Sequence, residues 1–119
     1  MRNFRKYDVW IDGMKIVNDI YKIVGKFPKS ENFTLISQMT RAAVSIPSNI
    51  AEGASRNSEK DFGRFLEISL GSAFELETQV RIAKERKYIN NENSSDIIEE
   101  LISLQKRISA LRKKILRKN

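Results

Sequence analysis

The residues best equipped for chemistry lie between Gln38 and Gly53 and shortly beyond: Arg41, Glu52, Glu75 and Glu77, accompanied by Gln38, Ser45, Ser48 and Asn49. Carboxylates clustered on helices can act as acid/base pairs or hold two metal ions, as in di-metal helix bundles. Those bundles draw a Glu-x-x-His pair from each of two helices, and this chain has no His. It has no Cys either, which removes thiolate nucleophiles, disulfides and zinc fingers, while the missing His also removes Ser-His-Asp triads. No Gly-rich phosphate loop follows a strand pattern. An arginine among carboxylates neutralises them without a metal, so the cluster reads as structural pairing rather than a catalytic centre. The expectation is a protein that is not an enzyme and needs neither cofactor nor metal.

Glu77 falls near the apolar sector of its helix, where an ionised carboxylate needs a partner; Arg81 at i+4 and Arg41 from the neighbouring helix are the candidates. The sequence therefore predicts a partly buried polar network of Gln38, Arg41, Ser45, Asn49, Glu52, Glu75 and Glu77. If Arg41 belongs to a buried pair, Arg41→Ala costs about 3–5 kcal/mol, because one charge is left uncompensated.

A second set is cationic. Lys106, Arg107, Lys113, Lys114, Arg117 and Lys118 crowd the last stretch of a chain with 22 Lys plus Arg against 15 Asp plus Glu, a formal charge of +7. Such a surface suits polyanions, above all the RNA or DNA backbone, with affinity that falls steeply in salt through counterion release. Arg2, Arg5 and Lys6 can add to it. Between Phe74 and the C-terminus Tyr88 is the only aromatic, which favours backbone contact over base stacking. The alternative is an interaction scaffold for another protein, with the basic face serving solubility alone. A membrane role is disfavoured: Leu111, Ile115 and Leu116 continue the apolar seam, and no apolar run reaches the roughly 18 residues of a membrane span. The N-terminus lacks an apolar signal segment, and a cytoplasmic location is expected.

The elements that must position these groups are helical. Five Gly and two Pro in 119 residues leave little turn chemistry for a sheet, and punctuation falls at 25–30, 53–58 and 88–95. Those three breaks predict four helices, near 8–25, 31–53, 58–87 and 94–117, in one domain spanning 1–119. Ser30, Ser58 and either Asn93 or Ser94 are the expected N-caps, Ser58 opening a capping box with Asp61. In the fourth helix Ile97, Leu101, Leu104, Ile108, Leu111 and Ile115 alternate steps of four and three, the seam of a shallow helix crossing, with the cations opposite. The second helix buries Leu35, Met39, Ala42, Ala43, Ile46 and Ile50. Pro47 interrupts its hydrogen-bond ladder and predicts a kink, where Ser45 or Ser48 could satisfy freed backbone groups. In the first helix Val9, Ile16, Ile20, Ile23 and Phe27 form a seam, but Trp10, Met14, Val17, Tyr21 and Val24 widen it. In the third, Ile68, Phe74 and Ile82 point away from the main apolar cluster. Arcs this wide exceed what one small bundle covers and predict a homo-oligomer.

Phe27-Pro28 with Glu31, Gln38, the run from Arg41 to Gly53, Phe65-Leu66, Gly71-Ser72 and Glu75-Leu76-Glu77-Thr78 together resemble the small bacterial four-helix-bundle proteins encoded in intervening sequences of 23S rRNA genes. The resemblance covers almost the entire chain. It implies an all-α, up-and-down, left-handed antiparallel bundle, commonly a ring-like homopentamer, without established enzymatic activity. A related branch comprises the accessory proteins of diversity-generating retroelements, basic pentameric barrels that bind nucleic acid and a reverse transcriptase. This chain is similar to them in architecture and charge, so the partners implied are further copies of itself, RNA or DNA, and a reverse transcriptase or a ribosomal component. Both branches share the Arg41-to-Gly53 signature, which reads as a folding motif.

Overall fold

The computed structural model describes residues 2–117, so the cation Lys118 lies outside the described residues. Four helices carry the fold: α1 (Asp8–Val24), α2 (Leu35–Ala54), α3 (Glu59–Glu85) and α4 (Asn91–Arg117), with short 3-10 turns at Phe4–Lys6 and Lys29–Glu31. Each helix packs on its neighbour in sequence and α4 closes the bundle against α1, in a body 47 × 24 × 19 Å. Among the described residues there is no strand.

The expected seams are the core. Val9, Ile16 and Ile20 of α1, Met39, Ala43, Ile46 and Ile50 of α2, Phe62, Leu66, Leu76 and Val80 of α3, and Leu101, Leu104 and Ile108 of α4 are all buried. One close approach explains a glycine. A Cβ on Gly53 would lie 2.6 Å from the Phe65 Cβ, so α2 and α3 meet there at a distance only glycine permits. At Gly13 of α1 an added Cβ would sit at ordinary contact distance, 3.5 Å, from Ile46 and Pro47, so α1 packs on the proline without requiring glycine.

Two helix starts differ from the sequence expectation. α2 begins at Leu35 rather than 31, because Pro28 opens a separate 3-10 turn and Thr34 intervenes; neither Ser30 nor Thr34 supplies a side-chain cap. α4 begins earlier than 94: Asn90, not Asn93 or Ser94, provides the cap, its Oδ1 accepting from the Asn93 N–H at 2.7 Å. Ser58 caps α3 as expected, accepting from the Asp61 N–H at 3.0 Å. The sharp turn from α3 to α4 passes through Lys87 at φ 65°, a left-handed residue closed by the Tyr88 N–H donating to the Ala83 carbonyl at 2.9 Å.

Pro47 sits inside α2, which continues to Ala54. Neither Ser45 nor Ser48 serves the backbone there. Ser69 of α3, fully buried, donates to the Ile46 carbonyl at 2.8 Å, a cross-helix bond beside the proline. The two serines of α2 are directed elsewhere, Ser45 to Ser72 of α3 and Ser48 to solvent.

Candidate nucleic-acid interface

The polar signature of α2 does not form the single buried network expected of it. Ser45 and Asn49 do come together: Ser45 Oγ shares a 2.8 Å hydrogen bond with Ser72 Oγ of α3, and Asn49 Nδ2 donates to the Ser45 hydroxyl and carbonyl, each at 2.8 Å. Glu52 pairs with Arg56 at 2.9 Å on the exposed surface. Glu77 belongs to the opposite side of α3, where it accepts from Gln105 of α4 at 2.8 Å and from Arg81 at 2.9 Å. The Gln105 bond, aided by Arg81 and opposed by burial, holds the Glu77 carboxyl below its ordinary pKa. Gln38, Arg41 and Glu75 are exposed and make no side-chain hydrogen bond or ion pair among the described residues. Of the two candidate partners for Glu77, Arg81 pairs with it and Arg41 does not. The register separates Arg41 from it: Glu77 lies on the α4 side of α3, whereas Arg41 lies on the outer arc of α2. No group of carboxylates among the described residues is arranged to hold a metal.

The cations of α4 divide into two kinds. Arg107 reaches across to α1 and donates to Asp12 at 2.6 Å and Asp8 at 3.0 Å. Partial burial opposes its charge, but the two carboxylates outweigh that and raise its pKa. Arg112, which the sequence reading had not singled out, binds the Gly63 carbonyl at 3.1 Å and Glu67 at 3.1 Å. These arginines tie helices together. Lys106, Lys113, Lys114 and Arg117 are exposed instead, and none has a carboxylate partner among the described residues.

Charge is also graded along α4. Its first half carries Glu92, Asp96, Glu99 and Glu100, and with Asp12 the last three line a groove of about 410 Å³ between α1 and α4. Its second half carries the free lysines. Acid at a helix N-terminus and base at its C-terminus complement the helix dipole. The same gradient confines any polyanion to the C-terminal end of α4. That end of the bundle also holds the 3-10 turn with Arg5 and Lys6 and the start of α3 with Lys60 and Arg64, all exposed. Arg2 is committed internally: it donates to the Ala54 and Arg56 carbonyls, pairs with Glu59 and lies over the Phe62 ring, strapping the N-terminus to the α2–α3 turn.

The chain is thus an all-helical four-helix bundle with a basic pole. The 23S rRNA-intervening sequence protein family model matches residues 5–110, and the chain belongs to that family. A protein of unknown function from the S23 ribosomal protein family of Bacteroides thetaiotaomicron, whose crystal structure was solved at 1.70 Å resolution, is similar to it. The two align with a TM-score of 0.81 and 24% identity over 88% of this chain and 95% of that one, which shows a shared fold. No curated protein matches the chain. Among the described residues no helix is long and apolar enough to cross a membrane.

Proposed function

We propose that the protein is a non-enzymatic, self-associating bundle that binds the phosphate backbone of RNA or DNA through the C-terminal half of α4. One observation carries this reading. Lys106, Lys113, Lys114 and Arg117 stand exposed without a carboxylate, while the neighbouring arginines are consumed by structure. Unpaired cations on one pole create a field that draws in phosphate and release counterions from the nucleic acid when bound. Self-association multiplies that pole. Ile11, Met14 and Tyr21 of α1 with Val44 of α2, and Ile68 and Ile82 of α3, are between 40% and 54% exposed. Apolar groups on two different sides of a bundle suit head-to-tail joining of copies, the arrangement that closes rings.

Electrophoretic mobility shift with structured RNA and duplex DNA at several salt concentrations tests the reading. The wild type shifts both, with an apparent affinity that drops as salt rises, and the combined change of Lys106, Lys113, Lys114 and Arg117 to Glu abolishes the shift at moderate salt. Equal behaviour of the two proteins removes α4 as the binding surface. A partner protein that stays bound in high salt after nuclease treatment favours the scaffold reading.

A further inference from the structure

Phe74 is exposed to 52%, on the side of α3 that faces α4. It lines a shallow groove of about 450 Å³ between α3 and α4 with Leu70, Ile102 and Gln105, and Lys106 and Lys113 stand on the same wall. The two lysines are two helical turns apart, about 10 Å along the axis; Gln105 bonding Ala73 and Glu77 sets Phe74 level with Lys106, and Arg112 bonding Gly63 and Glu67 sets Lys113 nearer the basic pole on the same groove. Neither has a carboxylate partner among the described residues. Gln105, buried at the floor, donates its amide N–H to Glu77 and the Ala73 carbonyl, so that donor is already engaged. Glu99 borders the adjoining groove beyond Ile102 and repels phosphate at that end, leaving the path toward Lys113 open.

The geometry points to a stacking site for an unpaired nucleobase: Phe74 takes the base face while Lys106 beside it and Lys113 further along the groove hold phosphates of the same strand, so the α3–α4 groove binds single-stranded RNA or DNA. The inference rests on the proposal that α4 binds nucleic acid and adds the strand type and the aromatic that selects it. A duplex offers phosphates to the lysines but keeps its bases stacked away from the ring; a single strand offers both. Aromatic stacking tolerates any base, since each has a π face, so preference for unpaired strands without sequence preference is the signature. A second copy of the chain is the weaker occupant of this groove: lysine is depleted from the cores of protein interfaces, and two lysines would have to be buried beside Phe74.

The test is fluorescence anisotropy of the full chain with a labelled oligothymidylate or oligoadenylate and with a duplex of equal length. The variants are Phe74→Ala, Phe74→Trp and Lys106→Glu with Lys113→Glu, each checked for assembly mass by light scattering. Phe74→Ala weakens single-strand binding roughly five- to hundredfold and leaves duplex binding within about twofold. Phe74→Trp restores single-strand binding, and the lysine pair variant weakens both ligands and flattens the salt dependence. If Phe74→Ala binds the single strand as the wild type does, or loses both ligands together with its assembly mass, Phe74 is not a stacking residue and the inference falls. In the first of those cases, lysine-dependent binding still supports the broader proposal; wild type that binds neither oligonucleotide overturns both.

Discussion

α2 and α4 make opposite use of their polar residues. In α2 the run from Arg41 to Gly53 looks the more specific, yet its polar half is mostly exterior: Arg41 and Glu52 are exposed, and only Ser45 and Asn49 reach a neighbouring helix or brace their own. Its small and apolar half, Ala42, Ala43, Ile46, Pro47, Ile50 and Gly53, makes the close contacts with α1 and α3. In α4 the pattern looks generic, a seam with a charged back, and yet that back separates arginines spent on cross-helix ties from lysines left free. The lesson is that a distinctive polar string need not be a network. What a charged residue does is decided by whether a carboxylate from another helix happens to stand within reach.

The apolar half of α2 is most vulnerable at Gly53. Gly53→Ala forces a methyl group against the Phe65 Cβ and the Phe62 carbonyl, neither of them the far end of a flexible chain. Overpacking of this kind destabilises by about 2–3 kcal/mol, read as a lower midpoint in urea unfolding. Change of an exposed α4 cation such as Lys113 leaves that midpoint in place, and a midpoint for Gly53→Ala equal to wild type would show that α2 and α3 can part cheaply.

The polar tie between α3 and α4 has a smaller effect with a definite pH signature. Because the folded state lowers the Glu77 pKa from its ordinary 4.5, folding favours the ionised carboxylate, and its contribution is present above that value and lost as pH falls through the lower, folded value. Glu77→Gln should therefore lose about 1 kcal/mol at neutral pH and show a shallower decline on acidification. Thermal melts from pH 7 to pH 3 read both, and parallel curves for the two proteins would remove Glu77 as a stabilising group.

The smallest expected change in stability concerns Arg41. Because its side chain is exposed and unpaired among the described residues, Arg41→Ala leaves the unfolding free energy within about 0.5 kcal/mol of wild type, far from the cost of breaking a buried pair. Sedimentation then sharpens the comparison: if the outer arc of α2 joins copies, the variant dissociates at a higher protein concentration than wild type does.

Most of the architecture was legible in the order of residues. Steps of three and four in Ile97–Ile115 name the inner face of α4 because a helix advances about 100° per residue, whatever lies beside it. Ser58 caps α3 through its own local chain for the same reason. The candidate site was legible only in part. The basic character of α4 could be read from composition, but the loss of Arg107 to Asp8 and Asp12 spans more than ninety residues of sequence, and nothing local announces it. Ser69, Arg112 and Gln105 escaped notice for a like reason. Each is an ordinary polar residue until the neighbouring helix supplies a carbonyl or carboxylate at hydrogen-bond distance.

Four helices, their inward faces, their breaks to within about four residues and a cationic C-terminal stretch could be read from residue order, because backbone periodicity, capping and net charge are local or additive properties. The tertiary structure alone decided that Arg41 and Glu77 never meet, that Arg107 is bound while Lys106 and Lys113 are free, and that Phe74 of α3 stands beside those two lysines of α4. Those facts depend on the register and rotation of one helix against another, and these are set by side chains distant in sequence competing for the same core.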